Sequence, residues 1–298
     1  MYIIEKKQSM IDNFKMNICY FSSARDSFEY ILKKKLSEKK ILIPAYIGFS
    51  TNEGSGIFDP IKNSGIGYQF YKLSKNLEIE KESLFKLIDY NQGNILLLVH
   101  YFGFTDSNIA EIKEYAKKRS MIIIEDCAHA FFTFFKKPIV ESDYYLFSLH
   151  KMLPYTKGGM LLSKEPLDIK DSFIVNPFEY NMYEISQKRV QNYNYLKEKL
   201  ESFDNITLLR PALKDVVPQT LPILVPSEAK RDSLYFKLNE LGFGVVSLYH
   251  ELIKEVTETE HENEFYLSRH VLNLPVHQDI SFTDIDKMVE TLGEYIYE

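Results

Sequence analysis

The sequence has no tryptophan and only two cysteines, Cys19 and Cys127, among its 298 residues. Two cysteines are too few for a disulfide framework, so we expect a reducing compartment, the cytoplasm. No apolar run approaches the roughly 18 residues that a membrane-spanning helix needs. The first residues, MYIIEKKQSM, lack the apolar core and the small-residue cleavage site of a secretory signal. The sequence therefore predicts neither export nor a membrane anchor.

An excess of basic charge is also missing, since the net charge is -6. Nucleic-acid binding needs a concentrated basic surface, so this balance disfavours it. The basic cluster at residues 33–40 alternates with Leu and Ile at helical spacing, which is typical of the solvated face of a helix. The seven His and two Cys show no CxxC, HxxxH or HExxH spacing, so no metal site is predicted.

Hydrophobic residues make up 45% of the chain and charged residues 26%, which indicates a globular protein with roughly two domains. A capping box from Ser23 to Asp26 predicts the start of a helix. Further helices are predicted at residues 82–88 and 109–116. We predict strands at residues 41–44, 66–71, 95–100, 121–124, 143–148 and 158–163. Apolar strands that alternate with helices indicate a parallel sheet covered on both faces.

The pattern changes after a long predicted helix at residues 180–200. Apolar segments at 221–225 and 245–248 alternate with helical patterns around Leu234 and at 285–292. Prolines cluster near the change, at positions 211, 218, 222 and 226. We therefore predict a large domain over residues 1–205 and a small α+β domain over residues 206–298.

Ligands of open parallel sheets bind beyond the carboxyl ends of the strands. Asp126 ends a predicted buried strand, and His129 follows three residues later. A carboxylate there needs a compensating cation or donor, such as a protonated heterocyclic nitrogen. A helix cap at Asp126 and a packed His129 are equally consistent with the sequence.

Lys151 follows another predicted strand and precedes the pair Gly158–Gly159. A lysine in an apolar setting can lose its proton and form Schiff bases with carbonyl compounds, and paired glycines permit close approach of a ligand. Lys157 is the rival, and on composition alone a solvated surface residue is the favoured interpretation of either lysine. The helix that starts after Ser23 offers free N–H groups to an anion, although a plain helix cap is the favoured interpretation on local evidence alone.

The order of the motifs SSARDS, LIPAY, VHYFG, IIEDCAHA, FSLHK with its glycine pair, and LNLPVH resembles the DegT/DnrJ/EryC1/StrS family of pyridoxal phosphate (PLP) aminotransferases. The resemblance extends from about residue 22 to about residue 292. It implies an α/β fold of type I, three layers α/β/α around a mostly parallel sheet, with a small C-terminal α+β domain. It also implies that residues 1–205 form the PLP-binding domain.

The resemblance also implies the roles of individual residues. Lys151 matches the lysine that holds PLP and moves the proton between substrate and cofactor. Asp126 matches the carboxylate that keeps the pyridine nitrogen protonated. His129 matches the residue close to the phenolic oxygen. Three further residues match the phosphate site: Ala24, Arg25 and Ser148.

The sequence departs from the family around the lysine. The family usually has five residues from the phosphate-binding serine to the lysine, whereas Ser148 to Lys151 is three. A divergent branch with the pattern S-L-R-K-x-L-P is closer, with His150 in place of Arg. Lys157 stands where the family usually has a glutamate.

Two other departures concern the aromatic neighbour of the cofactor and the contact with the neighbouring subunit. The aromatic residue that stacks on the cofactor aligns near Gly48, which leaves Tyr46 or Phe49 as alternatives. The stretch between Gly159 and Lys188 is shorter than in a typical member, and it normally carries residues that reach the neighbouring subunit.

From the resemblance we expect a homodimeric aminotransferase that moves an amino group from an amino acid such as glutamate to a nucleotide-linked keto-sugar, in polysaccharide or secondary-metabolite biosynthesis. Two alternatives stay open. A sugar dehydratase would use a histidine in place of the lysine, and His150 directly precedes Lys151. A binding or regulatory protein on a catalytically retired PLP scaffold would explain the shortened segment.

Overall fold

The computed structural model describes residues 16–52, 54–136, 141–169, 175–211 and 214–297. The segment MYIIEKKQSM and residues 170–174 of the shortened stretch lie outside the described residues. The strands are β1 Asn17–Phe21, β2 Ile41–Pro44, β3 Tyr68–Tyr71, β4 Ile95–Val99, β5 Ile122–Asp126, β6 Tyr144–Ser148, β7 Gly159–Ser163, β8 Thr207–Leu208, β9 Thr220–Leu224 and β10 Val271–Pro275. The helices are α1 Ala24–Lys34, α2 Phe58–Ser64, α3 Lys81–Tyr90, α4 Ile109–Lys117, α5 Phe131–Lys136, α6 Met182–Leu200, α7 Glu228–Glu240, α8 Glu262–His270 and α9 Phe282–Ile296.

A seven-stranded sheet in the order β1-β7-β6-β5-β4-β2-β3 forms the centre of the molecule. Strands β2 to β6 pair in parallel, while β7 is antiparallel to both β6 and β1. Along β4, Ile95 and Leu97 belong to one hydrophobic cluster, and Leu96 and Leu98 belong to another. Both faces of the sheet are therefore buried, and the prediction of a mostly parallel three-layer α/β/α fold is confirmed.

Helix α1 begins where the sequence predicts. The Ser23 Oγ accepts a hydrogen bond of 3.1 Å from the Asp26 N–H, and Phe28 and Ile31 bury the inner face of the helix. The first turn lies directly on β7, since a Cβ atom at Gly159 would overlap backbone atoms of Ser23. The absence of a side chain at Gly159 therefore allows the N-terminal end of α1 to pack directly on the sheet.

The C-terminal part contains an antiparallel sheet in the order β10-β9-β8, covered by α6 to α9. It shares one hydrophobic cluster with the large sheet, in which Leu98 and Leu274 both take part. The division at residues 205 and 206 stays a prediction.

One predicted strand does not form, and several elements were not predicted, among them β1, α2, α5, α8 and β10. The predicted strand at 245–248 is reduced to an isolated bridge between Val246 and Asn273. Helix α5 was not predicted, because its sequence FFTFFK has no polar face and every residue from Phe131 to Phe135 is buried. Among the described residues, no helix is long and apolar enough to cross a membrane.

Candidate active site

A cavity of about 390 Å³ opens where β4, β5 and β6 end. Its lining combines the ends of these strands, the start of α1, the loop that follows β2 and a short segment of the C-terminal part. The lining residues used below are Ala24, Arg25, Tyr46, Gly48, Phe49, Asp126, Ser148, His150, Lys151 and Tyr249. The cavity lies at the carboxyl ends of the parallel strands, as the topology of such sheets requires.

Asp126 ends β5 and directs its carboxylate toward this cavity. The one hydrogen bond that the described residues give to this carboxylate comes from the Ala128 N–H, 2.9 Å from Oδ1. Burial raises the pKa of Asp126, and that N–H together with the charge of Lys151 offsets part of the rise. A cationic group bound in the cavity would compensate the carboxylate further.

His129 and Lys151 meet beside Asp126. The Lys151 Nζ lies 3.0 Å from the His129 Nε2, and the His129 Nδ1 accepts a hydrogen bond of 3.3 Å from the Phe102 N–H. Burial and the nearby Lys151 hold the pKa of His129 well below its usual range, so the ring is neutral. Because Nδ1 accepts, the neutral ring carries its proton on Nε2, facing the lysine amine.

The backbone of the VHYFG motif presents that N–H. Phe102 has a φ of 57°, a left-handed conformation that is costly for a residue with a side chain. The Phe102 carbonyl accepts a hydrogen bond of 2.8 Å from the Gln219 N–H. Gly103 has a φ of 95°, and a Cβ atom there would lie 2.8 Å from the Gln219 N. The C-terminal part thus holds this strained turn in place.

The other predicted residues line the same cavity. Ala24 and Arg25 form the first turn of α1, whose unpaired N–H groups and dipole favour an anion. The Ser148 Oγ lies 3.3 Å from the His150 Nδ1. The structure therefore gathers Ala24, Arg25, Asp126, Ser148 and Lys151 around one cavity.

His129 lies behind Lys151 rather than in the cavity lining. Lys151 and Lys157, the rival lysine, are both exposed, but of the two only Lys151 belongs to the cavity lining. The Lys151 amine contacts His129, while His150 contacts Ser148. The geometry therefore favours a lysine-based reaction over the dehydratase alternative.

The aromatic residues of the cavity differ from the expectation. Tyr46 is fully buried, and its hydroxyl has no hydrogen-bond partner within the described part of the chain. Phe49 is 40% exposed. Tyr249, which the sequence analysis missed, lies within aromatic contact of Tyr46, with the ring centroids 5.0 Å apart. Its context, GVVSLYH, carries no local signal of a site.

A group of potential metal ligands lies on the far side of Asp126, formed by His100, Glu125 and Cys127. The Glu125 carboxylate already binds the Lys113 Nζ at 2.7 Å and the His100 Nε2 at 2.7 Å. Since these partners already compensate its charge, the arrangement favours a structural ion cluster.

Chemically, the cavity offers a carboxylate for a cationic nitrogen, an amine for a carbonyl carbon and a helix N-terminus for an anion. The Tyr46 hydroxyl, which has no hydrogen-bond partner among the described residues, adds a further hydrogen-bonding group. One ligand that carries a ring nitrogen, a carbonyl group and a phosphate fits all of these features.

Comparison with known proteins gives the same picture. Residues 60–175 match the model of the DegT/DnrJ/EryC1/StrS aminotransferase family. The UDP-4-amino-4-deoxy-L-arabinose–oxoglutarate aminotransferase of Shewanella sediminis is 22% identical, over 68% of this chain and 67% of that protein.

Solved structures with the same fold cover nearly the whole chain. The aminotransferase TlmJ of Streptoalloteichus hindustanus has a TM-score of 0.74 at 14% identity, covering 94% of this chain and 86% of its own. Helicobacter pylori PseC, an aminotransferase of pseudoaminic acid biosynthesis, has a TM-score of 0.74 at 16% identity, covering 94% and 87%. At these identities the likeness shows the fold.

Proposed function

The chain belongs to the DegT/DnrJ/EryC1/StrS aminotransferase family and is a PLP-dependent aminotransferase, and from that premise we propose that it aminates a nucleotide-linked keto-sugar. The observation that carries the proposal is the contact of 3.0 Å between the Lys151 Nζ and the His129 Nε2, beside the Asp126 carboxylate. The three side chains come from two segments, the end of β5 with the loop that follows it and the loop after β6, and they meet at one end of the sheet.

The residues present fit PLP. Asp126 would bind the pyridine nitrogen and stabilise its protonated form, which in turn would compensate the half-buried carboxylate. Ser148, Arg25 and the first turn of α1 would hold the phosphate. When bound, PLP supplies an electron sink that stabilises negative charge on the substrate carbon.

Lys151 is then the residue that holds the cofactor and moves a proton at the substrate carbon. His129 faces this amine with its Nε2–H, and the Phe102 N–H keeps the ring in that tautomer. A protonated amine has no lone pair to accept this N–H, so the contact fits the unprotonated amine of Lys151, which is the nucleophilic form.

The choice of a sugar as acceptor is supported by the Shewanella relative, whose name specifies an amino-arabinose nucleotide. The cavity also carries hydroxyl and amide side chains suited to a sugar, namely Ser50, Asn52, Ser55 and Ser247. Glutamate is the proposed amino donor. A homodimer, a cytoplasmic location and a role in polysaccharide or secondary-metabolite biosynthesis complete the proposal.

The proposal is tested by visible absorbance of the purified protein with added PLP, before and after borohydride reduction, followed by mass mapping. Tyrosine and phenylalanine absorb only in the ultraviolet, so a visible band reports the cofactor. We expect a reducible band and a label on Lys151. A label on Lys157, or no band, would contradict the proposed site. Glutamate-dependent amination of nucleotide keto-sugars then tests the substrate class.

A further inference from the structure

Tyr249 lies over the cavity although it comes from the C-terminal part of the chain. Its ring centroid is 5.0 Å from that of Tyr46, 5.5 Å from that of Tyr101 and 6.3 Å from that of His129. It lines the same cavity as Asp126. Tyr249 therefore extends the aromatic wall next to the proposed catalytic groups.

The backbone of Tyr249 is strained. Its φ is 63°, in the left-handed region that residues with a side chain rarely adopt. Such a conformation persists only where the surrounding structure enforces it, and it concentrates at ligand sites. Here the surroundings are a short pairing between two loops, in which the Phe49 N–H donates to the Glu251 carbonyl at 2.8 Å and the Ile253 N–H donates to the Ile47 carbonyl at 3.0 Å.

Gly48 is the residue that admits Tyr249. A Cβ atom at Gly48 would lie 2.8 Å from the Tyr249 Cα and 2.9 Å from its Cδ1. Gly48 is not among the glycines with a positive φ, so its backbone does not require glycine for a turn. The absent side chain at position 48 thus serves the close approach of Tyr249.

We infer that Tyr249 supplies the aromatic face against which the ring of PLP packs, and that Gly48 is small in order to admit it. This inference rests on the proposed function. Flat aromatic surfaces pack favourably on one another, and a ring held by a strained, paired backbone loses little freedom when the ligand binds. Tyr249, rather than Tyr46 or Phe49, is then the aromatic residue of the cofactor site.

The test is a titration of the apoprotein with PLP, followed by visible absorbance and by the circular dichroism of the bound cofactor. Tyr249→Ala is expected to raise the Kd about tenfold, because it removes the packed ring. Tyr249→Phe keeps the ring and should stay within about threefold of the wild type. Gly48→Ala should weaken binding as well, since its methyl group displaces Tyr249. Tyr90→Ala, at a side chain that is 89% exposed, is the matched control and should leave the Kd unchanged.

Several outcomes overturn the inference. An unchanged Kd in Tyr249→Ala would do so, and so would tighter binding, because the ring would then occupy the place of the cofactor. A large loss in Phe49→Ala with none in Tyr249→Ala would assign the role to Phe49. Thermal melting of each apoprotein checks folding, and Tyr249→Leu, which keeps a bulky side chain, replaces an alanine variant that does not fold. If the wild type binds no PLP, the proposed function itself fails; if only the variants behave unexpectedly, this inference alone fails.

Discussion

Glu125 and Asp126 are consecutive carboxylates on one strand, and their surroundings are opposite. Glu125 is buried and surrounded by partners: the Lys113 Nζ and the His100 Nε2 each lie 2.7 Å away, and the Ser142 hydroxyl donates at 2.5 Å. Asp126 accepts one peptide N–H and faces the cavity. Burial raises the pKa of both groups, but the hydrogen bond and charge of His100, together with Lys113, bring the pKa of Glu125 down to about 2, while that of Asp126 stays raised.

The difference shows that a buried charge has two distinct uses. The carboxylate of Glu125 is fully compensated within the protein, so it holds β5 to its neighbours. The carboxylate of Asp126 is under-compensated in the folded chain, so a cationic ligand gains from binding beside it. The strand alternation that sends neighbouring side chains to opposite faces makes this separation possible within two residues.

The largest effect is expected at the lysine on the Asp126 side. Lys151→Ala removes the proposed amine, and we expect the transamination rate to fall about a thousandfold or more. Lys157→Ala, at the exposed rival lysine, should leave the rate within about twofold. Single-turnover kinetics with glutamate measures both. Equal losses in the two variants would contradict the assignment.

On the other side of β5, Glu125→Gln removes the charge that compensates Lys113 and should lower the free energy of unfolding by roughly 3 kcal/mol. Pairing it with Lys113→Met should restore part of the loss. Glu141→Gln, in an exposed ion pair with Lys117, is the control and should change stability by less than about 1 kcal/mol. Denaturant unfolding of the apoproteins gives these free energies. An unchanged free energy of unfolding in Glu125→Gln would contradict the comparison.

Asp126→Asn should show the reverse pattern. Because burial disfavours the charged form of Asp126, the apoprotein should keep its stability or gain slightly. The rate should fall about a hundredfold, since the proposed pyridinium partner is lost. Thermal melting and steady-state kinetics are measured on the same preparation. A loss of stability similar to that of Glu125→Gln would show that the two carboxylates do not differ.

Acid unfolding sharpens the same contrast. The pKa of Glu125 is about 2 in the folded protein against 4.5 for the ordinary group. Between these pH values the Glu125 carboxyl group is protonated in the unfolded chain and ionised in the folded chain. This stabilisation is therefore complete above about pH 4.5 and is lost as the pH falls toward 2. The difference in urea unfolding midpoint between wild type and Glu125→Gln should therefore be smaller at pH 3.5 than at pH 5.5. An equal difference in midpoint at both pH values would contradict the depressed pKa.

The smallest effect concerns the strained wall of the cavity. Tyr249→Gly and Tyr249→Ala remove the same ring contacts, but only glycine adopts a φ of 63° without steric cost. The glycine variant should therefore be the more stable of the two by about 1 kcal/mol. Denaturant unfolding of the apoproteins compares them, and an alanine variant of greater stability would show that the backbone relaxes.

The position of Asp126 and Lys151 at a common site follows from the sequence, because Asp126 ends one buried parallel strand and Lys151 lies three residues beyond the end of the next. Helix α1 follows as well, since Ser23 and the spacing of Phe28 and Ile31 carry a local signal. Tyr249 could not be found this way. Its place depends on a pairing between residues 47–49 and 251–253, which no local periodicity encodes.

The pairing of distant segments also orders the events of synthesis. Strand β1 emerges first, yet its partner is β7, and Asn17 contacts Ser163 across 146 positions of sequence. The cavity is completed later still, after residues 249–253 have been synthesised. Non-local pairings of this kind slow folding, because the entropy of loop closure is lost before the contacts form. A nascent chain of this protein therefore carries Asp126 and Lys151 well before residues 249–253 can complete the cavity.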